Sequence, residues 1–466
     1  MTQHELLSFV SSINQNFIGP VLSTLLLCTG IYYTIRLGFI QRYLKHAIVS
    51  LIRRNKKNEK ASDSDGMTPF QALTTAIASQ VGTGNIVGVS TALVAGGPGA
   101  LFWMWVSAII GMSTNFAEAV LGQLYKTQKE GHILGGPAYY MRNGMKSKLL
   151  AGIFSVFFII ALGMIAIMLQ SNSITDAVYN VMPLPNLKIY VGIFLAIIVG
   201  SVLTGGISRI ASIAERIVPF MASIFIIGCL IFIGAHIKLL PGVISDIFYY
   251  AFTPRASTGG VIGITLITTI RYGVNRGLTS NEAGLGSTPH AHAIAKVKNP
   301  YDQGLVALIG IAVDLLICTF TALVILLSGV LESHPEAAGV AVSQHAFNSY
   351  FGNMGNIFIA VALFLFAFST IIGCYFFGVQ NVRYLFGEKG VWPYNILVLG
   401  LILLASMTHV TLLWEISDTF NLFIVTPNVI ALIFLSPQVV KEVKKLKYSL
   451  SKKGQTDTLD ETPEEI

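Results

Sequence analysis

The feature that most constrains this chain is its series of apolar runs, many longer than the roughly 18 residues that mark a bilayer-spanning helix. In hydrocarbon every backbone N–H and C=O has to be paired, and a helix does this within a single segment. Of the 466 residues, 53% are hydrophobic and 11% charged, and that charged fraction is about half of what a soluble domain carries. Length alone would allow two or three soluble domains, but the apolar runs overrule that reading. The chain reads as a single all-α polytopic membrane protein whose surplus apolar surface faces lipid.

Eleven spans are predicted, near 16–38, 69–94, 99–124, 148–172, 188–205, 212–235, 257–282, 304–330, 353–378, 392–408 and 411–436. Residues 1–67 then hold the first span and a basic loop, 68–440 a ten-helix core, and 441–466 a tail. The tail is basic, then acidic from Asp457 to Glu465, and is expected to be disordered or helical only near the membrane. Residues 1–15 contain no Lys or Arg and no small-residue cleavage site, so they are not read as a signal peptide. Cys28, Cys229, Cys318 and Cys374 all fall in apolar stretches and read as buried thiols, not as disulfides or a CxxC metal site.

The net charge of +7 raises the possibility of nucleic acid, but the placement of the basic residues explains it better. With the N-terminus outside, the inner side receives Arg36, Arg42, Lys45, Arg53, Arg54, Lys56, Lys57, Lys60, Lys126, Lys129, Arg142, Lys146, Lys148, Lys296, Lys298 and the basic tail. The outer side keeps Lys188, Lys238 and Arg255. The positive-inside rule therefore predicts an outside N-terminus and a cytoplasmic C-terminus in a cell membrane.

Two spans are unusually rich in glycine: the second, through Gly82-Thr83-Gly84-Asn85-Ile86-Val87-Gly88, and the seventh, from Tyr272 through Gly273, Asn275, Arg276, Gly277 and Thr279 to Gly284. Five spans separate their starts, which predicts an inverted repeat of 68–235 and 256–440. Paired broken helices at matching positions point to a transporter binding site, where unwound backbone offers N–H groups to a carboxylate and carbonyls to a cation. The competing reading is that these glycines simply let helices pack closely. Glu118, Asp314, Arg271 and Arg276 are ionisable groups within spans, hence functional candidates. Pairing of an acid with an Arg, as a gate or a structural tie, is the first reading, and a proton site at Glu118 the second. His290 and His292, two apart on a connection, lack the further ligands of a metal site. Trp103 and Trp105 fit an interfacial aromatic belt.

These stretches, with Gly96-Gly97-Pro98-Gly99-Ala100-Leu101-Phe102-Trp103-Met104-Trp105, Gly135-Gly136-Pro137, Ser280-Asn281-Glu282-Ala283-Gly284-Leu285-Gly286-Ser287 and Phe366-Ala367-Phe368-Ser369-Thr370, resemble the alanine or glycine:cation symporter family across essentially all of 16–436. The resemblance implies a LeuT-type core of five plus five helices with one extra N-terminal helix. It implies sodium-coupled, sometimes proton-coupled, import of alanine, glycine or another small neutral amino acid, with some relatives carrying glutamine. No cofactor is implied beyond sodium as the coupling ion; the partners are the amino acid, the ion and the bilayer, not nucleic acid.

By the same resemblance the amides of Thr83 and Gly84 hold the substrate carboxylate, a use of half-helix N–H groups that needs no buried Arg. Gly82, Gly84 and Asn85 shape that break, and Gly273, Asn275, Gly277 and Thr279 contribute from the seventh span. Gln170 lies near the substrate amino group, and the neighbouring Asn172 is read as packing only. Sodium is held by the carbonyls of Ala78 and Val81 and the hydroxyls of Ser369 and Thr370, an oxygen set suited to a hard cation. Those hydroxyls could instead bond back to carbonyls of their own helix. The chain departs from its relatives at Thr279, where Phe is common, and at Cys374, where Trp is common. The second change leaves either a larger pocket or a gap filled by Tyr375, Phe376 or Phe377, and the larger pocket predicts that glutamine is admitted. A membrane enzyme would need carboxylate or His clusters at a membrane face, a channel would need a pore with several weak sites, and an ATP-driven pump would need GxxxxGK[ST]. The enzyme and pump patterns are not found, and a channel would show itself by ion current beyond substrate flux.

Overall fold

The computed structural model describes residues 9–57, 66–129, 132–254, 265–407 and 410–457. Lys60, Arg255, the start of the seventh predicted span and the acidic end of the tail lie outside them. The first helix, α1 (Phe9–Arg36), leads into a short basic amphipathic helix, α2 (Leu44–Lys57). A bent pair follows, α3 (Pro69–Gln80) and α4 (Val87–Gly96), then α5 (Ala100–Leu124). Next come a two-stranded hairpin, Thr127–Lys129 paired with His132–Leu134, and the short α6 (Pro137–Asn143). The chain continues through α7 (Lys148–Val181), α8 (Leu187–Leu203), α9 (Gly206–Ala235) and α10 (Leu240–Tyr250). It then forms α11 (Leu266–Asn281), the short α12 (Pro289–Ile294), α13 (Pro300–Ser328), α14 (Val340–Phe351), α15 (Asn353–Phe386), α16 (Val391–Ala405) and α17 (Val410–Asp457).

Among the described residues, eight helices are long and apolar enough to cross a membrane, nine if α3 and α4 count as one span. Each of the eleven predicted windows contains helix among the described residues, the second in two pieces and the seventh from Leu266 onward. Two fall short: α8 has 17 residues and α11 has 16, the latter with Arg271 and Arg276 in it. The molecule is a polytopic helical bundle with a wide apolar exterior. Ile109, Ile153, Ile197, Phe220, Ile227, Leu230 and Phe434 all stand exposed, a surface that water would not tolerate and lipid does.

Local chemistry sets several boundaries. α3 begins with a capping box, Thr68 accepting from the Gln71 amide while Gln71 accepts from the Thr68 amide, with Pro69 in the first turn. Ser147 and Thr265 cap α7 and α11. Of the two expectations for the tail, disorder or helix near the membrane, its described part is helix. α17 runs unbroken to Asp457, and Val439, Val443 and Leu446 are buried. Their spacing of four and three residues gives the helix an apolar stripe that holds it to the bundle beyond the membrane-length segment.

α5 lies in the interior, packed against α1, α11, α12 and α13. Two ends of the bundle can be told apart. At one, Asn14 meets Glu415 at the start of α17, beside Gly19, Arg271 and Tyr272. At the other, Met67 pairs with Ala295, and the hairpin meets Glu388. Trp103 and Trp105 are not simply interfacial. They are half-buried, and their indole N–H groups donate to Ala251 O and Thr319 Oγ1.

Candidate functional site

The site forms where helices α3 and α11 lose their regular backbone. α3 ends at Gln80; Val81 is extended and Gly82 lies at φ −142°, ψ −147°. One tight turn, Thr83–Asn85, precedes α4, whose axis is bent by 59° from that of α3. A Cβ at residue 82 would run into Thr370 Oγ1 and stand 3.2 Å from Gln170 Oε1. Glycine is therefore required by the close approach of α7 and α15, and the break is where they meet it. Thr83 N donates to Gln170 Oε1 at 3.1 Å, and Thr370 Oγ1 donates to Val81 O at 3.2 Å and to Phe366 O at 2.9 Å. Thr83 Oγ1 is buried in the cavity wall with no partner of its own, a group left ready for an occupant.

The second break is displaced from its expected place. α11 runs as unbroken helix through Gly273, Asn275, Gly277 and Thr279, and the chain unwinds only from Glu282 to Thr288. Glu282 sits at φ 57°, Gly284 at φ 93° and Gly286 at φ 77° before Pro289 opens α12. Gly273 and Gly277 face α5: a Cβ on either would collide with Ala100 O or with Ser107 Oγ. At these two positions glycine serves helix packing.

Three buried carboxylates hold the two breaks, and among the described residues none pairs with an Arg, contrary to the expectation for Glu118 and Asp314. Glu118, on α5, accepts from the amides of Gly284 at 3.2 Å and Gly286 at 2.9 Å, and from Asn428 Nδ2 at 2.7 Å. Asp314, on α13, accepts from Asn85 Nδ2 at 2.6 Å and Ser280 Oγ at 2.8 Å. Glu282 accepts from Ser79 Oγ at 2.8 Å and Ser287 Oγ at 2.5 Å. Each carboxyl group thus links backbone that has left the helix to a neighbouring segment through at least two hydrogen bonds.

Between the breaks lies a cavity with about 90 Å³ open to the centres of water-sized molecules, several times the roughly 10–15 Å³ that holds one water. Of the residues expected at the substrate, Gly82, Thr83, Gly84, Gln170, Thr279, Thr370 and Cys374 line it. Asn85 is turned away onto Asp314, and Asn275 lines a second, smaller cavity with Asn14, Arg271 and Glu415. Arg276 and Asp418 border both cavities; their charges lie 3.9 Å apart, with the guanidinium 5.3 Å from the Trp414 ring centre. The Thr279 hydroxyl bonds back to Asn275 O at 2.8 Å, within its own helix.

Among the residues expected at sodium, Ala78 and Val81 are buried at the end of α3, and Thr370 reaches Val81. Ser369 does not turn to the break: its hydroxyl bonds to Phe366 O at 2.8 Å and lies 3.4 Å from Met221 Sδ. Asn172, expected to serve packing, donates to Ala405 O. His290 and His292 are buried in α12, where Asn381 and Gln303 meet them, and no group of three or more metal-binding side chains occurs among the described residues.

Sequence reasoning missed Glu282 and Asp418. Both are acids in or beside spans, and the argument that singled out Glu118 covers them equally. It also placed the second break too early, although Gly284-Leu285-Gly286 followed by Pro289 is a break-and-restart signal.

The chain matches the model of the sodium:alanine symporter family over residues 3–461. It is 39% identical to the sodium/alanine symporter AgcS of Methanococcus maripaludis, covering 94% of this chain and 97% of that one. It is 37% identical to the probable sodium/glutamine symporter GlnT of Bacillus subtilis (94% and 90% covered) and 37% identical to the amino-acid carrier protein AlsT of the same organism (93% and 90%). In fold it resembles a manganese transporter of Eremococcus coleocola, with a TM-score of 0.51 and 14% identity over 78% of this chain and 80% of the other. These matches make it a transporter and not an enzyme. The chain belongs to the sodium:alanine symporter family.

Proposed function

We propose that this protein carries a small neutral amino acid into the cell together with sodium, by alternating access around the cavity between the two breaks. The observation that carries this reading is the freed backbone at Thr83 and Gly84 inside that cavity. Amides at the start of a half-helix bind a carboxylate without a fixed cation, so the site can also release it. The Thr83 amide donates to Gln170 Oε1. An arriving carboxylate replaces that acceptor, and Gln170 is freed to turn to the α-amino group. Thr83 Oγ1 supplies a further partner.

The coupling ion is assigned to the Val81 carbonyl and Thr370 hydroxyl, with Ala78 O and Ser369 Oγ completing the set. Thr370 bonds to Val81 O itself, and a sodium ion between them would exchange that bond for two ion–oxygen contacts. Ser369 would have to leave Phe366 O to join. The core is read as five plus five helices, α3–α4 through α9 and α11–α12 through α17, preceded by α1. The Asn14 end is read as outside and the Met67 end as cytoplasmic, in a prokaryotic cell membrane; support comes from the Lys and Arg asymmetry. On that orientation Arg276 and Asp418 are the outer gate, since they stand between the main cavity and the second one. A second reading, glutamine as the preferred cargo, is favoured by Cys374, a small side chain in the cavity wall.

The test is uptake of labelled alanine and glutamine by proteoliposomes with and without an inward sodium gradient. Sodium-dependent accumulation of either is the expected result. Accumulation driven by a proton gradient and indifferent to sodium would overturn the ion assignment.

A further inference from the structure

We propose that Glu282 and Cys374 form a side-chain subsite in the cavity that selects a neutral cargo ending in a hydrogen-bond donor, such as a carboxamide, and rejects an acidic one. The inference rests on the amino-acid reading above and names the substrate class of the same cavity.

Three carboxylate or guanidinium side chains line the main cavity: Arg276, Asp418 and Glu282. The first two face each other at 3.9 Å and offset each other's charge. Glu282 has no basic partner among the described residues. Its carboxylate is buried and takes one hydroxyl at each oxygen, from Ser79 and Ser287. A carboxylate has about four acceptor positions, so acceptor capacity remains on the group that borders the cavity. A buried carboxyl oxygen with an unused lone pair can take a further donor. The occupant is what can bring it.

The α-carboxylate of an amino acid belongs at the amides of Thr83 and Gly84. The α-amino group, two bonds from the carboxyl carbon, stays with it near Gln170 and Thr370. Ser79, which Glu282 grips, lies in the last turn of α3, separated from Thr83 by the extended break at Val81 and Gly82. That places Glu282 at the far end of the cargo's side chain, not at its backbone part. Cys374 completes the subsite. It follows Thr370 by four residues on the same face of α15, it lines the cavity, and its Sγ lies 3.7 Å from Ser79 Oγ. Its small volume leaves the space in front of Glu282 open. A carboxamide NH2 placed there donates to Glu282, whereas a side-chain carboxylate brings no donor.

The experiment uses the whole protein in proteoliposomes under a sodium gradient. Unlabelled glutamine, glutamate γ-methyl ester and glutamate compete against uptake of whichever neutral amino acid the protein accumulates. The ester matches glutamine in length but has no donor at its end. Glutamine is expected to compete about tenfold better than the ester, the upper end of what one net hydrogen bond contributes, and glutamate to compete least. In Glu282→Gln the preference for glutamine over the ester should shrink to within about threefold. If that variant does not fold, the analogue series on the unmodified protein still decides. Equal competition by glutamine and ester, or no competition by glutamine against a working alanine carrier, overturns the subsite alone. Absence of any sodium-driven amino-acid uptake overturns the parent reading as well.

Discussion

Gly82 shows how one missing methyl group fixes the site. Thr370 and Gln170 both press on its Cα, so adding a Cβ pushes the first break away from α7 and α15. The damage falls on the cavity and much less on the bundle, because α3 and α4 keep their own packing contacts. Gly82→Ala is expected to cost about 1–3 kcal/mol of misfit at the break, which in affinity is roughly 5- to 150-fold. Titration of substrate-dependent thermal stabilisation on the purified variant checks this. An unchanged affinity would mean that the break is not where cargo sits. Glu118 carries the opposite lesson. Its charge was legible in the sequence, and its partners were not, since two are backbone amides of a segment 166 and 168 residues away and the third is Asn428. An acid in a span invites a search for a basic partner, and nothing in composition says that unwound backbone will take that place.

At the level of elements, the same residue type served two purposes that sequence could not separate. Glycines at 82, 273 and 277 read alike, as helix breakers in apolar spans. The first breaks its helix, and the other two lie on one face of an intact α11, four residues apart, against α5. What distinguishes them is the neighbour, a long-range fact. The positive-φ run at Glu282, Gly284 and Gly286 is the true second break, and there the closely spaced glycines and following proline did carry a local signal. Packing predicts the outcome of substitution in each case. Gly277→Val drives methyls into Ser107 and Met104 and should lower stability by about 1–3 kcal/mol. Gly400→Ala, in α16 with open space around the added Cβ, should be neutral or slightly stabilising through helix propensity. Thermal unfolding of the detergent-solubilised variants compares them directly; equal losses would contradict the assignment of α11 to tight packing.

The whole molecule was the most legible scale for the helices and the least for their relations. Hydropathy located helix in the predicted windows because lipid permits little else, whereas the polar α11, packed against α1, α4, α5 and α13, shows that a span can survive by being surrounded. The two cavities on either side of Arg276 and Asp418 could not be read from the chain, since they depend on α1, α11 and α17 meeting at one end. They make a prediction about access that the protein's own cysteines can report. Cys374 lines the main cavity, Cys229 and Cys318 are buried, and Cys28 is the exposed one. With Cys28→Ser, Cys374 becomes the single thiol that a small water-soluble methanethiosulfonate can reach through a cavity. Substrate with sodium should protect it severalfold, because cargo fills the space in front of the thiol. Asp418→Asn removes the charge that faces Arg276, so in intact cells it should speed labelling of Cys374 by an impermeant reagent added outside. Faster labelling only from the cytoplasmic side of inverted vesicles would reverse the proposed orientation while leaving the pair as a gate. A rate unchanged from both sides would remove Arg276 and Asp418 from gating and leave them as a structural tie between α11 and α17.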